Sequence, residues 1–68
     1  MRYAVVIHKA EDKYSAYVPD LPGCVAMAAS LAEAQKEIRA AVHVHLAKLE
    51  RDGLSAPEPT TVVEYMDT

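Results

Sequence analysis

The sequence predicts an α+β domain with element order β-β-β-α-β: one four-stranded mixed sheet, strand order 3-2-1-4, with a single helix on one face. Three observations predict it. Alternating apolar residues flank a polar turn near the start, Ser30-Leu31-Ala32-Glu33 opens a long amphipathic stripe, and a β-branched run follows two closely spaced prolines.

Tyr3 to Ile7 is apolar on both alternating sets, the pattern of a central strand. Glu11-Asp12-Lys13 is a polar turn, so Tyr14 to Val18, ended by Pro19, returns antiparallel. Leu21-Pro22-Gly23 fits a type II turn, with Pro presetting the first central residue and Gly accepting positive φ at the second. Cys24 to Ala28 makes a short third strand.

Ser30 and Glu33 form a capping box, each side chain facing the other's backbone amide. From there Leu31, Ala34, Ile38, Ala41, Val42, His45, Leu46 and Leu49 define an apolar stripe about 140° wide. Leu31, Ile38, Val42 and Leu49 are its expected contacts with the sheet. Lys48 and Arg51 suit the negative end of the helix dipole, and Gly53 suits a C-terminal cap, so the helix should stop near Asp52. Two prolines in Leu54–Pro59 make an extended connection, and Thr60 to Met66 is the expected fourth strand. A right-handed crossover from a meander then lays that strand parallel beside the first.

With 68 residues the chain forms one domain, 1–68, and a domain this small buries only about 60% of the surface its unfolded chain exposes. Twelve of its apolar residues are Ala, and Phe and Trp are absent, so the core is small. One cysteine cannot form an internal disulfide, which leaves association as the leading compensation and suits a reducing, cytoplasmic compartment. A net charge of -3 disfavours autonomous nucleic-acid binding, and the apolar run near the start is too short for a membrane span.

The residues offer no catalytic, cofactor or metal site. The acids lie in turns, on the outer helix face or near the end of the chain, and none sits in the first strand, where ribonuclease H-type metal chemistry needs one. His43 and His45 diverge by about 200° around a helix and cannot grip one ion. Cys24 lacks a basic neighbour to favour a thiolate and reads as a small buried hydrophobe. The four Tyr lack the interleaved cations of a nucleic-acid platform. One helix covers only one face of a sheet whose first strand is apolar on both, so a second cover is needed: another copy, making a dimer or higher oligomer, or a partner. Ala4, Val6, Tyr17, Val44 and Tyr65 are the candidate interface residues.

Val18-Pro19-Asp20-Leu21-Pro22-Gly23-Cys24, followed by Ser30-Leu31-Ala32-Glu33-Ala34, resembles the HicB family, the antitoxin half of bacterial toxin-antitoxin pairs. The likeness runs from Tyr3 to Pro59 and includes the Tyr-rich hairpin and the Pro-x-Pro connection. It implies a partial ribonuclease H-like fold that is not an enzyme and that binds and masks a HicA-type toxin, a small messenger-RNA ribonuclease. Pro19, Asp20, Leu21, Pro22, Gly23 and Cys24 carry over as the family signature, either as a turn that shapes the sheet or as toxin contacts. Ala28-Ala29-Ser30 departs from the Gly-Asp-Thr common in the family, and the DNA-binding domain appended in many members has no counterpart in the sequence. Two other classes compete: a homo-oligomeric binding module for another ligand, and a residual ribonuclease H-like nuclease.

Overall fold

The chain reverses through two residues only, Glu11 and Asp12, between β1 (Val6–Ala10) and β2 (Lys13–Tyr17). Glu11 makes this possible by taking a left-handed φ of 55°, a conformation that costs a non-glycine residue about 1 kcal/mol. In this computed structural model, which describes all residues Met1–Thr68, β3 (Val25–Ala28) pairs antiparallel with β2, and α1 (Leu31–Arg51) follows. The sheet is a three-stranded antiparallel meander, β1-β2-β3.

The α+β class holds, but the expected four-stranded mixed sheet of order 3-2-1-4, and with it the partial ribonuclease H-like arrangement, is overturned. Thr60 to Met66 forms no strand. The amides of Thr60 and Thr61, which a ladder would use as donors, are bound instead by the Asp20 carboxylate. Beyond them Val62, Tyr65 and Met66 stand 79, 94 and 81% exposed. With no strand beside it, β1 is an edge, and β2 takes the central place.

The first strand also shifts, from the expected Tyr3–Ile7 to Val6–Ala10. Val6 pairs with Tyr17, the Val18 amide donates on the β3 side to the Cys24 carbonyl at 3.1 Å, and Pro19, which would face Ala4 in the next hydrogen-bonded pair with β1, has no N–H to donate. Tyr3 to Val5 therefore has no partner strand. At the other end the two-residue turn carries pairing through the exposed polar pair His8 and Lys9.

Helix α1 starts where the cap predicts: Ser30 is extended, and its Oγ accepts a hydrogen bond from the Glu33 amide at 3.2 Å. The reciprocal half of the box does not form. The helix ends after Arg51 in a Schellman cap, with the Leu54 amide donating to the Leu49 carbonyl at 2.9 Å and the Gly53 amide to Glu50 at 3.1 Å. Gly53 supplies the required positive φ of 73°. Ala34 and Ile38 are buried, and Ala41, Val42 and Leu46 pack partly buried against the sheet, whereas Leu31, expected inside, is 46% exposed on the first turn. The helix lies over β3 and β2 and only brushes β1. Its polar faces leave no stretch long and apolar enough to cross a membrane.

Candidate functional site

The segment between β2 and β3 folds as two consecutive turns closed at the neck. The Leu21 amide donates to the Val18 carbonyl (3.1 Å), the Cys24 amide to the Leu21 carbonyl (3.0 Å), and the Val18 amide to the Cys24 carbonyl (3.1 Å). Pro22 and Gly23 occupy the central positions of the second turn, and Gly23 has φ 81°, as a type II turn demands. This geometry drives Leu21 inward, where it is fully buried, beside Val18 and Cys24 at 2 and 3% exposure. Half of the six buried residues therefore belong to a turn. Burying a Leu side chain is worth roughly 1.5 to 3 kcal/mol, a large share of the stability of so small a domain. Burial also pushes the Cys24 thiol above its ordinary value of 9.0, so it stays protonated.

Asp20 points the other way and ties down the segment that follows the helix. Its Oδ2 accepts from the amides of Thr60 and Thr61, each at 3.1 Å, and its Oδ1 accepts from their hydroxyls at 3.1 and 2.9 Å. The Thr61 amide holds the carboxyl below its ordinary value of 3.8, helped by both threonine hydroxyls and the Thr60 amide against a partial desolvation that works upward. A second tie lies upstream, where the Tyr3 hydroxyl donates to the Pro57 carbonyl at 2.6 Å. Pro19, Pro22 and Gly23 are exposed on the outside of the loop. The motif therefore divides between a core plug, Leu21 and Cys24, and an anchor, Asp20.

The register places Ile7, Ala16 and Ala26 in one row beneath the helix, because Ala16 is buried against it. The alternate row, Val6, Tyr17 and Val25, lies on the face that the helix does not cover, with Ser15 and Met27 in the next row. Tyr17 is 46% exposed, and Val25 and Met27 are each 64% exposed. Of the candidate interface residues, Val6 and Tyr17 thus come together as cross-strand partners. Val44, 69% exposed on α1, joins Val25 and Met27 in a shallow depression between helix and β3. Ala4 is half-buried ahead of β1, and Tyr65 stands apart beyond the Asp20 tie.

His43 and His45 open onto opposite flanks of the helix: His43 lines a groove beside β1, and His45 lines the depression beside β3. No three His, Cys, Asp or Glu side chains gather where they could hold a metal ion. Sequence reasoning missed Thr60 and Thr61 as partners of Asp20 and missed Val25 and Met27 on the open face. The alternation of Val25 and Met27 with Ala26 and Ala28 was the available signal for the latter pair, whereas nothing local marks a contact across forty residues of chain.

A family profile described as HicB_like antitoxin of bacterial toxin-antitoxin system matches residues 3–68. The chain belongs to the HicB-like antitoxin family. Among curated proteins, this HicB-like chain is similar to an uncharacterized 14.9 kDa protein in the rep-hol intergenic region of Haemophilus phage HP1, 30% identical over 67 residues. That match covers 98% of this chain but 50% of the phage protein, so the chain spans half the length of that relative. A UPF0150 protein of Helicobacter pylori is 44% identical over 50 residues, 74% of this chain and 69% of the other. Another, from Archaeoglobus fulgidus, is 43% identical over 47 residues, 68% of each. Membership in the HicB-like family supports an antitoxin role.

Proposed function

We propose that this HicB-like chain is the antitoxin of a HicA-type toxin, a messenger-RNA ribonuclease, and that it silences the enzyme by covering its active site in the bacterial cytoplasm. The family match over residues 3–68 carries this reading. Two physical features agree with it. An RNA-cutting partner needs a cationic surface, and the net charge of -3 favours its encounter with this chain. The uncovered row Val6, Tyr17 and Val25, with Met27, offers apolar and aromatic side chains that a partner would bury. Masking is steric, so the antitoxin supplies no catalytic group, cofactor or metal.

The chain also associates with itself, as a dimer or higher oligomer, because its own core holds only six buried residues. The deciding experiment is co-expression with the toxin candidate encoded in the neighbouring reading frame. The toxin should co-purify, and its RNA cleavage should stop when this chain is added in excess. Independent purification together with undiminished cleavage would refute the assignment.

A further inference from the structure

We propose that the segment Val62–Met66 is an exchange arm that docks, in a second copy of this chain, into the groove between β1 and α1. The proposal rests on the self-association inferred above and specifies its geometry. The groove exists because α1 leans toward β3. It holds about 450 Å³ and is walled by Tyr3, Val5, Ile7, Ile38 and Val42.

Nothing in the same chain fills the groove. Thr60 and Thr61 are fixed on Asp20, and none of the residues that follow lines the groove: Val62, Val63, Tyr65 and Met66 are 79, 50, 94 and 81% exposed. The molecule is elongated, its 21-residue helix alone being about 31 Å long. Its radius of gyration is 13.1 Å and its longest extent 41 Å, whereas a compact chain of this length would have a radius near about 11 Å.

Arm and groove match in chemistry. Four apolar side chains within five residues face a mostly apolar trough, and the arm spans about 17 Å when extended. The groove rim carries Arg39 and His43 and no carboxylate, while the arm carries Glu64 and is followed by Asp67. A second copy supplies the arm because each chain presents one arm and one groove, which a two-fold axis satisfies reciprocally. The twin tie at Asp20 makes exchange economical, since the base of the arm is already ordered before docking.

Light scattering at micromolar concentration should give the intact chain twice its 7.4 kDa mass. Deleting residues 62–68, or the paired substitution Val63→Asp and Tyr65→Asp, should leave the helix signal in circular dichroism unchanged and weaken dimerisation on the order of 100-fold. For a readout on the full-length chain, Val5→Cys protein is mixed with Val63→Cys protein under mild oxidation; a disulfide should link the two different chains. A dimer that survives the deletion, or a mixture with no linked pair, overturns arm exchange while leaving self-association intact. A monomeric intact chain overturns both, including the case in which the arm orders only when toxin is added.

Discussion

The Asp20 carboxylate and Thr61 meet across 41 positions of chain through two hydrogen bonds, the amide at 3.1 Å and the hydroxyl at 2.9 Å. With the equivalent pair from Thr60, every bond in this anchor ends on one carboxylate. Charged acceptors make the stronger hydrogen bonds, so the position of Thr60 and Thr61 depends on the ionised form of Asp20.

Acid should therefore release that segment. The folded carboxyl titrates below its ordinary 3.8, so its contribution is complete above about pH 4 and is lost as pH falls through the lower folded value. The amide resonances of Thr60 and Thr61, followed by NMR from pH 6 to pH 2, should shift together with a midpoint below 3.8. In Asp20→Asn they should sit near their released positions throughout. A midpoint at or above 3.8 would show that the carboxylate gains nothing from the anchor.

Leu21→Ala should destabilise the fold by about 2 to 5 kcal/mol, because it empties a fully buried site that neighbouring turns cannot collapse to fill. Ile38→Ala, across the same core, should fall in the same range. Urea midpoints measure both. An unchanged midpoint for Leu21→Ala would mean that the loop does not plug the core.

Gly23 has open space around its missing side chain, so substitution there tests backbone strain alone. At φ 81° Gly23→Ala should cost about 1 kcal/mol and Gly23→Val more, both read from thermal midpoints. Glu11→Gly should act in the opposite sense and raise stability by roughly 0.5 to 1 kcal/mol, since it relieves the left-handed residue of the hairpin.

The Cys24 thiol should react with a chromogenic disulfide reagent only as fast as the protein opens, because it is 3% exposed and held protonated. Its rate should rise in step with unfolding in a urea series. Immediate labelling of the native protein would contradict its place in the core.

On the open face, Val25→Asp and Tyr17→Asp should weaken toxin binding at least about tenfold while costing the fold about 1 to 2 kcal/mol through lost strand propensity and cross-strand pairing. Titration calorimetry against the toxin, paired with urea unfolding, separates the two effects.

Local chemistry was legible in the sequence. The Ser30 cap, the Gly53 stop, the Pro22-Gly23 turn and the Tyr14–Val18 return all depend on neighbours within a few residues, and each sits close to its expected place. What escaped is what depends on competition between distant groups. Thr61, Val62 and Val63 have strong strand propensity, yet two amides bound by Asp20 outweigh it. Val5 reads as strand interior by pattern, yet the ladder with β2 stops at Val6, because Pro19, due to face Ala4 in the next hydrogen-bonded pair, has no N–H to donate. Within the motif, Pro and Gly correctly announced a turn, but turns generally lie on the surface, and nothing in the pattern disclosed that this one carries half the core.

The meander has a kinetic consequence. Every strand pairs with the strand next to it in sequence, and the helix packs on the strand immediately before it, so most of the framework forms from contacts of short reach. Such topologies fold fast because little loop entropy is lost before contacts form. The Asp20 anchor, like the Tyr3–Pro57 bond, is an exception, closing a long loop with hydrogen bonds near the surface. It should form last and open first, so that the rate at which the hairpin, turn and helix assemble is indifferent to whatever the segment beyond Thr61 is doing.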